Sequence, residues 1–146
     1  MKKLSKFLSL PSGEKRLLMK TFMLTSLIRL GLWLLPFNFI LSRTNFFRNA
    51  KIKSNKTSKH LQDRIIWAIE TVSHYVPKST CLVKSFTTQI LLSEHGYNPE
   101  LHIGVAKGNE KKVEAHAWVE SEGQIIMGES EQNYYTPILV LDKGKA

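Results

Sequence analysis

The hydrophobic period of this chain changes once, and that change decides which folds are open to it. Between Ser12 and His95 the apolar residues recur every three or four positions, the spacing of a helical face. Beyond Tyr97 and Pro99 they alternate, which is the spacing of strands with one buried side. A chain that places its helices first and its strands last is expected to fold as α+β, with N-terminal helices followed by an antiparallel sheet. At 146 residues there is room for one modest domain and no second full-sized core. Hydrophobic residues make up 42% and charged residues 23%, a globular rather than a disordered composition.

Local signals give the elements bounds. Ser12 is read as the N-cap of a first helix whose apolar positions are Leu17, Leu18, Phe22, Leu24, Leu27, Ile28, Leu32 and Leu35, with Pro36 ending or kinking it. A short helical turn is expected over 37–42. Residues 43–57 are basic and polar and read as a loop. Ser58 begins a second helix carrying Leu61, Ile65, Trp67, Ala68, Ile69 and Val72, which Pro77 stops. A third runs from Thr80 or Cys81 to about His95, with Gly96 as its cap and Leu82, Val83, Phe86, Ile90 and Leu91 as its apolar face. Strands follow at Leu101–Ala106, Val113–Glu120, Gln124–Met127 and Ile138–Leu141, with a hairpin turn over 107–111. Residues 1–57 are taken as a helical segment belonging to the same domain as residues 58–146.

The formal charge of +9 is concentrated in the first half of the chain. Lys2, Lys3, Lys6, Lys15, Arg16 and Lys20 stand against Glu14 alone. Arg43, Arg48, Lys51, Lys53, Lys56, Lys59 and Arg64 stand against Asp63. Such a half suits an acidic partner, and it motivates an alternative reading as a basic adaptor for nucleic acid or an anionic membrane. No helix-turn-helix and no aromatic-plus-basic signature accompanies the charge, so nucleic acid is not expected as a partner. The apolar run over 21–41 approaches spanning length, but Arg29 sits near its middle and Pro36 interrupts it. No cleavage site of small residues follows it. The expectation is a core helix buried nearly all round in a cytoplasmic protein, with peripheral membrane contact through its lysines as the open alternative.

Cys81 is the single cysteine, so an internal disulfide and a multi-cysteine metal site are both excluded. Its place at the first turn of a helix is informative, because unpaired N–H groups and the helix dipole there favour a thiolate. The same N–H groups can receive a developing oxyanion. His116 is flanked by Ala115 and Ala117, small neighbours that leave its ring accessible, and it shares a strand face with Glu114, Trp118 and Glu120. A cysteine at a helix start followed by a histidine on a strand is the order found in papain-like and transglutaminase-like thiol enzymes. Cys81 is therefore the candidate nucleophile and His116 the candidate base.

A third group should orient the imidazole. Glu129 is the first choice, with Glu120, Glu122 and Asp142 as alternatives. Glu120 lies four residues from His116 on the same strand, roughly 13 Å away at the usual rise, too far for a direct bond. His60, His74, His95 and His102 show no ligand spacing, and neither a metal nor any other cofactor is expected.

Taken together, Cys81-Leu82, the helix SFTTQILLSEHGY, the strand LHIGVAKG and the segment AHAWVESEGQIIMGE resemble the B protein of lasso-peptide biosynthesis in its short form. The Leu35-Pro36-Phe37 end of the first long helix fits the same family. The resemblance covers most of the chain and is weakest over residues 43–57 and 130–146. It implies a papain-like, transglutaminase-like core and a cysteine peptidase that removes the leader from a ribosomally made precursor peptide. It also implies two partners besides the precursor: a small leader-recognition protein and an ATP-dependent cyclase that acts on the freed N-terminus. The family's cysteine and histidine map onto Cys81 and His116. Some members carry an aspartate twelve residues after the histidine; that position is Gly128, with Glu129 next. A related chemistry, acyl transfer to an amine instead of water, would use the same fold.

Overall fold

A computed structural model describes residues 2–36, 38–40, 42, 58–107, 112–128 and 135–141. The elements run in the order α1 (Lys2–Leu8), α2 (Ser12–Leu34), α3 (Lys59–Ser73), α4 (Cys81–Glu94), β1 (Glu100–Lys107), β2 (Val113–Ser121), β3 (Gln124–Met127) and β4 (Thr136–Leu141). Helices followed by an antiparallel sheet is the order that the change of hydrophobic period anticipates.

The caps fix two of the helices where they were expected. The Ser58 hydroxyl accepts the Leu61 N–H at 3.2 Å and starts α3. Thr80 accepts the Val83 N–H at 3.4 Å and starts α4. α3 ends at Ser73, ahead of Pro77, and α4 ends at Glu94 with Gly96 at φ +89° just beyond. Ser12 departs from expectation. It is the first residue of α2, the cap position falls to Pro11, and no side chain caps that end. The short helix α1 carries too few apolar positions for a periodic signal. Residues 38–40 and 42 are helical. The basic loop at 43–57 and the turn at 108–111 lie outside the described residues.

The four strands pair antiparallel in the order β3-β2-β1-β4. Leu101 lies opposite Val119 and Ile103 opposite Ala117, which gathers one apolar face. His102 lies opposite Trp118 and Gly104 opposite His116 on the other face. α4 packs against the apolar face, and α2 and α3 cover it from the far side. Every α4 residue from Ser85 to Ser93 is buried, because the helix has the sheet on one flank and two helices on the other. Phe86, Leu91, Leu92, Ile65, Ile69 and Val119 meet in one cluster, each contributing about 1.5–3 kcal/mol by burial. Two of the buried hydroxyls of α4 are satisfied within the helix: Thr87 and Thr88 donate to the carbonyls of Val83 and Lys84, one turn back.

The expectation for α2 is corrected. Only Leu18, Thr21, Thr25 and Ile28 are buried, a single stripe spaced for contact with α3 and α4. Met19, Met23, Leu27 and Trp33 are 58%, 60%, 62% and 73% exposed. From Thr21 onward the helix is apolar on nearly every side, yet among the described residues its neighbours lie on one side only. α2 is long and apolar enough to cross a membrane by length and composition, although 22% of its most apolar window is buried inside the structure. Trp67 is likewise exposed instead of packed.

One ion pair joins each pair of long helices: Glu14–Arg64 between α2 and α3, Lys20–Glu94 between α2 and α4, and Glu70–Lys84 between α3 and α4. These pairs are partly exposed and contribute about 0–1 kcal/mol each. Packing of apolar side chains dominates over them.

Candidate active site

Thr80 decides where the thiol sits. Its side chain takes the Val83 N–H and its carbonyl takes the Lys84 N–H, so α4 begins at Cys81. The half-buried sulfur then stands at the first turn, with the remaining first-turn N–H groups beside it. Pro77 and the positive φ of Lys78, +56°, turn the chain between α3 and this start.

His116 comes from the middle of β2. Its imidazole stacks between elements of the polar sheet face: 5.0 Å from the Tyr135 ring and 6.1 Å from Trp118, centre to centre. Trp118 in turn stacks on His102 at 5.4 Å. Gly104 makes this possible, because a Cβ there would lie 3.0 Å from the Trp118 ring and 3.0 Å from Tyr135 Cβ. Nε2 of His116 bonds the carbonyl oxygen of Gly128 at 2.9 Å.

Cys81 and His116 line one cleft of about 220 Å³, together with Glu70, Ser79, Lys84, Met127 and Gly128. A larger hollow of about 490 Å³ lies between α1, α2 and α3, and it contains neither thiol nor imidazole. Within the cleft Lys84 donates to Glu70 at 3.0 Å. Ser79 Oγ is buried without a hydrogen-bond partner among the described residues. The thiol and the imidazole expected to act together therefore share a wall of the same small concavity.

A scan of family models matches the transglutaminase-like superfamily over residues 27–140. The chain belongs to the transglutaminase-like superfamily. No curated protein and no solved structure matches it. The superfamily includes cysteine peptidases and transglutaminases, and its helix-then-sheet core is the one described above.

The expected third groups fare differently within this transglutaminase-like frame. Glu129 and Asp142 lie outside the described residues. Glu122 is exposed in the β2–β3 turn at φ +52°. Glu120 accepts the Trp118 indole N–H at 3.0 Å and faces His102 at 3.7 Å. With Glu100, these side chains bring their ligand atoms within 4.8 Å of one another around His102. His74 and His95 satisfy helix carbonyls through Nδ1, to Glu70 and Leu91.

Sequence reasoning missed Ser79, Glu70, Lys84 and Tyr135, and it missed the carbonyl of Gly128. Lys84 was within reach of that reasoning, since position i+3 on a helix shares the face of Cys81. Glu70 and Tyr135 arrive from other elements, and no local spacing announces them.

Proposed function

We propose that this chain is a cysteine peptidase that removes the leader from a ribosomally made lasso-peptide precursor. The observation that carries the reading is the shared cleft of Cys81 and His116, one at the start of α4 and the other on β2. The motifs around both residues resemble the lasso B protein and supply the substrate class.

In the proposed reaction Cys81 Sγ, its proton taken by His116, attacks the scissile carbonyl and forms a C–S bond. First-turn N–H groups of α4 hold the oxyanion. Collapse breaks the C–N bond, and His116 returns its proton to the amine of the departing core peptide. His116 then deprotonates water, which hydrolyses the thioester, frees the leader as a carboxylic acid and restores the thiol.

The precursor is brought by a small recognition protein, and an ATP-dependent cyclase consumes the freed N-terminus. Cleavage of a lasso precursor peptide, in the presence of a leader-recognition protein, is the test, read by product mass. Hydrolysis adds one water across the bond. A product carrying an added amine instead would assign acyl transfer.

The exposed apolar stripe of α2 and the basic residues near it, Lys15, Arg16 and Lys20, favour a second property: peripheral contact of a cytoplasmic enzyme with an anionic membrane. Salt-sensitive co-sedimentation with anionic vesicles tests it. Strong binding with no cleavage would favour the adaptor reading over the enzyme.

A further inference from the structure

A carbonyl oxygen only accepts hydrogen bonds. The 2.9 Å contact between His116 and Gly128 therefore places the ring proton on Nε2 and leaves Nδ1 as the basic nitrogen. The backbone that presents this carbonyl is one that glycine alone adopts easily, for two separate reasons. Residue 128 has φ +81°, in the left-handed region. A Cβ there would also lie 2.7 Å from the Ala117 carbonyl oxygen and 3.1 Å from Trp118 Cα. Any side chain would push this segment off β2 and carry the carbonyl away from the imidazole. Met127, buried at the end of β3, precedes Gly128 and anchors the chain on its N-terminal side.

We propose that Gly128 is a positioning residue, whose backbone carbonyl fixes His116 as the Nε2–H tautomer and so selects Nδ1 as the general base. The role is one that triads usually give to a side chain. When His116 becomes an imidazolium, it is met by a neutral carbonyl and by the π faces of Tyr135 and Trp118. The inference rests on the reading of His116 as the base, and its first test needs no substrate.

The full chain, labelled with ¹⁵N-histidine and ¹³C-carbonyl glycine, is followed by NMR against pH. Neutral His116 is expected to show a protonated Nε2 and an unprotonated Nδ1. The Gly128 carbonyl resonance is expected to move as His116 titrates. An Nδ1–H tautomer, or a Gly128 carbonyl indifferent to that titration, overturns the proposal. Kinetics on the precursor give an independent arm. Gly128→Ala is compared with Gly123→Ala, which also places a Cβ at positive φ, +75°, but in open space. Gly128→Ala is expected to lower kcat about 100-fold at unchanged KM, while Gly123→Ala leaves kcat intact. Equal losses in the two variants, or a folded Gly128→Ala enzyme with normal kcat, overturn it. A chain that shows the expected tautomer yet cleaves no precursor removes the proposed function and leaves the orientation standing. A cleaving enzyme with the other tautomer does the reverse.

Discussion

Gly104 lies directly across the β1–β2 ladder from His116, and the missing side chain on one residue is what the other's surroundings occupy. The Trp118 ring and Tyr135 close over that position, each 3.0 Å from where a Cβ would stand, with the Thr136 carbonyl at 3.1 Å. Gly104→Ala is therefore expected to cost about 1–3 kcal/mol through overpacking. Urea unfolding measures the loss, and a shift in tryptophan emission reports the displaced indole. Wild-type stability and emission in this variant would mean that the aromatic column does not depend on the gap.

Removing the thiol should separate chemistry from folding. Cys81 is half buried at a helix start, so Cys81→Ala is expected to keep the fold within about 1 kcal/mol. Precursor cleavage should nevertheless fall by about 1,000-fold or more in Cys81→Ala and in His116→Ala. Circular dichroism and product mass spectra on the same samples give both answers. Full cleavage by Cys81→Ala would sink the peptidase assignment.

The one-sided packing of α2 has a direct mutational signature. Leu27 is mostly exposed and Ile28, its neighbour, is buried against α4. Leu27→Lys should change stability by no more than about 0.5 kcal/mol. Ile28→Lys should cost about 2–5 kcal/mol, by losing apolar contacts and burying a charge. Denaturant midpoints for the pair test the orientation, and similar midpoints would contradict it.

Thr80 carries the cap that sets the first turn of α4. Thr80→Ala is expected to lose about 1 kcal/mol and to slow cleavage more than Thr71→Ala, whose hydroxyl only bonds the Trp67 carbonyl on an exposed face of α3. Equal effects on rate from the two substitutions would show that the cap does not serve the thiol.

The parts of this fold that could be read from the chain are those written in local chemistry. Ser58, Pro77, Thr80 and Gly96 bound α3 and α4, and alternation from Leu101 to Val119 gives two strands with their correct inward faces. Strand neighbours are a different matter: β4 joins the sheet beside β1, and its own residues do not encode which edge it takes. The exposure of Met19, Met23 and Trp33 was hidden because an evenly apolar helix has no stripe to orient it. In the cleft, Cys81 and His116 were legible as residue types in a telling order. The group that bonds His116 was not, since every residue brings a carbonyl and only the folded backbone shows which one is aimed at the ring.

The burial of α4 on all sides ties the fate of the thiol to that of the whole molecule. The amide protons from Phe86 to Leu92 belong to the helix around which the core is assembled, so they should exchange with deuterium only when the protein unfolds globally. The stretch from Phe86 to Leu92 has no partial opening of its own, and only the first turn, held by the Thr80 cap, can fray separately. A variant weakened anywhere in the core should therefore behave as a mixture of intact enzyme and unfolded chain, its specific activity tracking the folded fraction, instead of as a uniformly slower catalyst.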